Sequence, residues 1–478
     1  MIDFYKENVS KFYSDKNLFF LFSSWILTFI FGSSIGSYSF GSFTIYPNLI
    51  IGLFFIPLIL RSIFSFTKSI KIFVVFLSLF LFYSISWILI HGSNYFAVFE
   101  LRSHIFYLNT FLIIISTYNG FYVKDLFKKA LKDGLWFLFT FIVLIGFIER
   151  LFHIHLLNDF YSRGEPMFIF GNANDYFLYC FVLFLILLFV DVVRLRNFWM
   201  IVSCLLFLFM LAHLFKTLLG EIIIFIMFVI QLSKDRKIFK EIVNKKYYIL
   251  FVILSLSIIV SNKFVKGDER TQFEFYSFLK TDRINAKPSV QLDTSLKTEI
   301  DTVSVQKASV DTNIINESSS AEIIKTPTPF PTESVQKKVG LGGGGSLNIR
   351  VGLILNGIYL FKNNPIFGVG PGQFQEHNRL KKVPYNILEN YSPHNYFIEL
   401  ISNYALLGIS FFLYLLYLFF LLFKLKTETS FWLKVTFVLF FIVSILPSAF
   451  IYQPMNWLFM SLWILYSRLE INLISVRK

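Results

Sequence analysis

About twelve apolar runs of roughly 17 to 25 residues recur along this chain, and each is long enough for an α-helix to cross about 30 Å of hydrocarbon. They fall near residues 18–37, 46–64, 71–90, 101–118, 134–150, 168–191, 198–214, 217–233, 247–264, 396–423, 431–449 and 455–470. A membrane barrel would show short alternating strands instead, so the pattern predicts an all-α, polytopic integral membrane protein with one large loop. Composition agrees with that class: of 478 residues, 55% are hydrophobic, 20% are aromatic and only 15% are charged. The first run is long and is followed by others, so it reads as a first span and not as a cleaved signal peptide.

The formal charge of +14 is spread over connections and not gathered on a soluble domain, which argues against nucleic acid as a partner. Alternate connections hold Lys6, Lys11 and Lys16, then Arg61, Lys68 and Lys71, then Lys124 to Lys132, then Arg194 and Arg196, then Lys234 to Lys246, then Lys424 to Lys434, then Arg468 to Lys478. The intervening short loops hold Arg102, Arg150, Arg163 and Lys216. By the positive-inside rule, both termini are expected in the cytoplasm and the long connection after residue 264 outside. Cys180 and Cys204 both fall in apolar runs, with neither a disulfide framework nor metal-ligand spacing, and read as small buried residues.

Three regions follow. Residues 1–264 form an N-terminal bundle of about nine spans. Residues 265–395 form the large outer loop, and residues 396–478 supply about three more spans. Within the loop, 281–345 is rich in Ser, Thr, Val, Lys and Glu, carries TPTPFPT and ends in GLGGGGS. Such a tract buries too little apolar surface to offset its ordering entropy, so it reads as a disordered insertion, and deleting 285–340 is expected to be tolerated. Residues 346–395 read as ordered. Leu347, Val351, Ile354, Leu355, Ile358 and Phe361 lie at helical spacing, as in a helix on the membrane surface.

That helix leads into NPIFGVGPGQF at Asn364 to Phe374, and then to SPHNYFIELISNYALLG at Ser392 to Gly408. A glycine-dense turn lets backbone amides approach a ligand, and a histidine at the mouth of a span is suited to proton transfer near neutrality. Taken alone, His394 is better read as an interfacial histidine at a helix end. Arg350 is balanced between donor binding and lipid headgroups, while Arg163 and Lys216 are outer-loop cations that either act or merely snorkel. Glu221, in or near a span, is a functional suspect with Lys216 as its structural partner. His377, Arg379, Lys381 and Lys382 read as a solvated basic face. Phe and Tyr abundance reads as lipid-facing packing and an aromatic belt.

Together, Arg350, the turn from Pro365 to Phe374, and His394-Asn395 opening a span resemble the O-antigen ligase and O-antigen polymerase superfamily. The segment RGEPMFIFGNANDY, Arg163 to Tyr176, resembles that family's pairing of an outer-loop arginine with an Asn-rich entry into a span. Two departures stand out. The chain has Asn403-Tyr404-Ala405 where family members often carry Glu-x-Gly, and Lys216 where they tend to carry arginine, which removes a bidentate phosphate fork. The resemblance implies a metal-independent, inverting glycosyltransferase without a cofactor, on the outer face of the bacterial cytoplasmic membrane. Its donor would be an undecaprenyl-diphosphate-linked oligosaccharide and its acceptor a glycan or a lipid core, amid membrane lipids and polysaccharide-assembly proteins. It further implies His394 as catalytic base, Arg163, Lys216 and Arg350 at the diphosphate, and Gly368, Gly370, Gly372 and Asn395 shaping the site. Polymerase is preferred over ligase. A flippase or transporter for the same lipid is the alternative of another class, disfavoured because no internal repeat or paired midplane charges are seen.

Overall fold

The computed structural model describes residues 14–31, 38–40, 43–45, 47–62, 68–119, 124–152, 173–214, 218–234, 346–385, 395–444 and 454–477. The expected span at 247–264 and the expected insertion at 281–345 lie outside these residues. The described chain is almost entirely helical, apart from a short hairpin of β1, Tyr38–Phe40, on β2, Phe43–Ile45, antiparallel with Tyr38 opposite Ile45.

Before the hairpin, α1 spans Asp15–Leu27 and starts where the Ser14 hydroxyl accepts the Asn17 amide at 3.4 Å. The apolar run after it is not one helix. It divides into α2, Pro47–Leu53, and α3, Ile56–Ser62, with Pro57 in the first turn of the second piece, where a missing amide hydrogen costs nothing. Then come α4, Lys68–His91, α5, Tyr95–Asn119, α6, Lys124–Phe152, α7, Ala173–Val190, α8, Phe198–Leu214, and α9, Leu218–Lys234. After the loop lie α10, Ser346–Asn363, α11, Gln373–Arg379, α12, Tyr396–Tyr404, α13, Leu406–Phe423, α14, Glu428–Val443, and α15, Pro454–Arg477.

Two helices begin earlier than hydropathy alone indicates. The stretch KDLFKKALKDG is charged enough to read as a connection, yet Phe127, Ala130, Leu131 and Leu135 are all buried and form one helical stripe. α5 begins at Tyr95, ahead of the apolar run expected from residue 101, and so takes Glu100 and Arg102 into the helix.

Among the described residues, four helical stretches are long and apolar enough to cross a membrane: Ile70–His91, Phe96–Tyr118, Lys124–Glu149 and Leu406–Phe423. Shorter apolar helices cover Asp175–Val190, Phe198–Leu214 and Gly220–Gln231. α7 is apolar on every side and buried at each position from Tyr176 to Val190, packing against α6, α14 and α15. α4 instead keeps Phe82, Leu89 and Ile90 exposed, the expected face toward lipid. Free Cys180 and Cys204 are both buried.

One end of the helices is basic. Lys124 and Lys128 lie over the Tyr118 ring, Lys129 over Phe19, Lys132 pairs with Asp191 at 3.0 Å, and Lys234 pairs with Glu428. The other end of α5 lies about 37 Å away along its 25 residues. There the glycine turn is docked.

Candidate functional site

The run expected as a single span from residue 396 is broken. α12 ends at Tyr404, Ala405 takes φ +40° and ψ −112°, and α13 starts afresh at Leu406. A positive φ is strained for alanine, so the surrounding structure has to hold it. The glycine turn does so. Val369 N–H donates to the Ser402 carbonyl at 2.9 Å, Gly370 N–H to the Asn403 carbonyl at 3.1 Å, and Leu406 N–H to the Ile366 carbonyl at 3.3 Å. Carbonyls and amides orphaned by the break are thereby satisfied across the two segments.

The three glycines permit this docking in different ways. All have positive φ, +76° at Gly368, +103° at Gly370 and +66° at Gly372. A methyl group at Gly368 would collide with the Asn403 backbone, at Gly370 with the Trp87 indole, and at Gly372 with the Phe96 to Ala97 backbone. The turn therefore touches α12, α4 and α5 at once. Its amides face inward. Gly368 donates to Asn364 O at 3.0 Å, Gly372 to the Glu100 carboxylate, Gln373 to Gly370 O at 3.2 Å and Phe374 to Asn403 Oδ1 at 3.3 Å. Where the sequence led one to expect amides presented to a ligand, those from Gly368 to Phe374 are bonded to protein oxygens. Closing a helix break uses them up.

Glu100, which the sequence reading passed over, is the hub of this junction. Its carboxylate is fully buried and also accepts Asn403 Nδ2 at 3.1 Å. Asn403 thus serves three segments: its carbonyl takes Gly370, its side-chain oxygen Phe374 and its side-chain nitrogen Glu100. Beside it the Tyr404 hydroxyl lies 3.2 Å from Ser84 Oγ and 3.5 Å from His104 Nδ1, and His104 Nδ1 lies 2.9 Å from the Glu100 carbonyl oxygen. A carboxylate in the first turns of an apolar helix was the available signal. It was missed because the apolar run was started one residue after it. Next to His104 is a cavity also lined by Phe80, Tyr107, Tyr396, Asn456 and Trp457.

α10 and α12 lie side by side and run in the same direction. Gly357 backs onto Ile398, and further along Val369 and Gly370 meet Ser402 and Asn403. Arg350, two turns before Gly357, therefore lies about 7 Å beyond the level at which α12 begins. That start is defined by Asn395, whose side-chain oxygen accepts Phe397 N–H at 3.0 Å and Ile398 N–H at 3.2 Å. Arg350 is half-buried, which disfavours its charged form, and the carboxylate of Asp175 opposes that shift. Asp175 sits in the first turn of α7 and in the Asn-rich segment that follows Arg163.

Arg163, Lys216 and His394 themselves lie outside the described residues. Near the second of these, Glu221 bonds to His213 Nδ1 at 2.9 Å, a partner the sequence reading had not considered. On α11, Glu376 bonds Arg379 at 2.9 Å and is held below the usual carboxylate range chiefly by that bond. Arg379, Lys381 and Lys382 are exposed, but His377 is not part of a solvated face: its ring bonds Gln373 O at 2.8 Å, and burial lowers its pKa. Gln375 Nε2 reaches the buried Glu399 at 3.2 Å and ties α11 to α12.

The fold and this junction define a helical protein, with four described stretches long and apolar enough to cross a membrane, organised around a broken helix and the glycine turn that closes it. No family model matches the chain, and none of the curated proteins matches it significantly.

Proposed function

We propose that the protein transfers a glycan from an undecaprenyl-diphosphate-linked donor to an acceptor hydroxyl at the outer face of a bacterial cytoplasmic membrane. The observation that supports this reading is an electrostatic coupling between two of the separate sequence motifs, Arg350 and the segment Arg163 to Tyr176. Arg350 lies within electrostatic range of Asp175, in the segment begun by Arg163, and on the helix that packs beside α12, whose start is capped by Asn395, the chain neighbour of His394.

In this reading the acceptor hydroxyl attacks the anomeric carbon with inversion. His394 takes the hydroxyl proton as general base while the bond from sugar to diphosphate breaks. The departing diphosphate gains charge, which Arg350, with Arg163 and Lys216, neutralises in a site partly closed to water. The Asp175 carboxylate offsets part of the cost of half-burying the guanidinium. The lysine at 216 offers a point charge without a bidentate fork, so most of the directional binding falls to the two arginines. Basic connections at the opposite end of the helices support the assignment of that end to the cytoplasm, with both termini there. The preferred acceptor is a carrier-linked repeat unit, making the enzyme a polymerase. An O-antigen ligase acting on a lipid core is the alternative within the class.

The test is to incubate purified wild-type and His394→Ala protein with a purified undecaprenyl-diphosphate oligosaccharide, with and without a lipid-core acceptor, and resolve the products by mass. Longer carrier-linked glycan from wild type alone is expected. Product only with the lipid core would make it a ligase. No product in either case, together with donor movement across liposomes, would replace the enzyme by a flippase. Full activity in a well-folded His394→Ala variant would remove the base.

A further inference from the structure

We infer that α10, the glycine turn and α11 form a re-entrant hairpin whose outer face and tip are embedded among the acyl chains of one membrane leaflet. This surface is independent of whether the protein transfers glycans, and its partner is lipid hydrocarbon.

The hairpin has the polarity of a lipid-facing element. Apart from Lys362 and Asn363, which are exposed where α10 ends and where the lysine's long stem can carry its charge toward headgroups, its polar side chains are turned inward. Asn356 is fully buried and bonds Asn378 Oδ1 at 3.0 Å, the Tyr385 carbonyl at 2.9 Å and the Tyr385 amide at 3.0 Å, while Gln375 and Asn378 are also buried. Its apolar side chains are turned outward. Val351, Leu355 and Tyr359 recur every four residues on the exposed side of α10, and the stripe runs on into Ile366 and Phe367 at the tip, the latter 70% exposed. In water such a stripe is a liability, whereas beside hydrocarbon it is the favourable arrangement.

Depth comes from the elements that the tip touches. The Tyr83 hydroxyl donates to the Phe367 carbonyl at 2.8 Å, and Gly370 lies against Trp87. Tyr83 and Trp87 are eight and four residues before His91, the end of the membrane-length stretch Ile70–His91, and so lie about 12 and 6 Å inside it. Phe82, Leu89 and Ile90 on the same stretch are exposed apolar side chains as well. Non-helical backbone is tolerated at such depth only when its polar groups are bonded within the protein. The turn meets that condition at its amides from Gly368 to Phe374 and at the carbonyls of Ile366, Phe367 and Gly370, all of which are bonded. The chain regains charge at Arg379, Lys381 and Lys382, all exposed, where the hairpin returns to headgroups and water.

The test is site-directed spin labelling of the full-length protein in liposomes. The native cysteines are buried, so single Val351→Cys, Leu355→Cys, Phe367→Cys and Lys382→Cys variants take the label selectively. Lipid-soluble oxygen is expected to relax the labels at 355 and 367 several-fold more than a water-soluble nickel chelate does, with a smaller excess at 351, which lies about 18 Å back along α10, and the ratio reversed at 382. Chelate-dominated relaxation at 367 and 355 would put the hairpin in water and overturn the proposal. Protection from both reagents would show a protein surface covering the tip and overturn it equally. Circular dichroism and wild-type elution on each labelled variant guard against a misfolded readout.

Discussion

Asp191 at the basic end and Glu100 at the turn end are both buried carboxylates, but they are stabilised in opposite ways. Asp191 is met by cations: Lys132 at 3.0 Å, Arg194 at 3.7 Å, and in addition the Trp136 indole N–H at 3.0 Å. Both cations are partly exposed, so that network opens to solvent. Glu100 is met by neutral dipoles, the Gly372 amide and the Asn403 side chain, and is fully enclosed. The difference shows what each carboxylate organises. A cation pair tolerates rearrangement because long, wet side chains can find water. A carboxylate solvated by fixed dipoles requires every donor to be in place, which makes it an anchor for irregular backbone.

The sharpest way to break this comparison is to remove the two carboxylates in turn. Glu100→Leu strands the Gly372 amide and the Asn403 side chain in the interior and is expected to cost about 3 to 5 kcal/mol, read as a large fall in Tm in detergent. Gly370→Ala is expected to cost about 2 to 4 kcal/mol, from positive φ and collision with Trp87. Adding Trp87→Ala should recover only the collision, so a double-mutant cycle in the same melts separates space from backbone strain. Asp191→Asn is expected to cost about 1 to 2 kcal/mol, because Lys132 and Arg194 can turn to water. Equal losses for the two carboxylates would end the distinction drawn here. Arg379→Ala breaks an exposed pair and should change stability by less than about 1 kcal/mol in chemical denaturation.

What could be read from the sequence divides along a physical line. α4, α7, α8 and α9 are located to within a few residues because a sustained apolar run is a local property of the sequence. α6 was cut short since its amphipathic first half carries lysines on one face, and hydropathy averages over faces. The break at Ala405 had no local signal at all: no proline or glycine occupies it, and it exists because a turn more than thirty residues earlier supplies the missing partners. Pro57, by contrast, is a local signal for the division between α2 and α3, although the run 46–64 was expected as one span. At the site, the motifs around Gly368 to Gly372 and Asn395 were visible as patterns, but not that their amides would be bonded internally. Glu100 and Asn403 are 303 positions apart, and only the packed structure joins them.

That separation has a consequence in time. The Gly372 amide follows Glu100 by 272 residues and the Asn403 side chain by 303, which at 5 to 20 residues per second is an interval of tens of seconds, roughly, during which α5 exists without them. Its carboxylate must wait at a hydrated surface or keep a proton. Ribosome-stalled chains ending before the turn should therefore leave Glu100 open to carbodiimide, and chains stalled well beyond Asn403 should not. The junction is a late clasp: the first half of the protein is held unfinished until the last third arrives to close it.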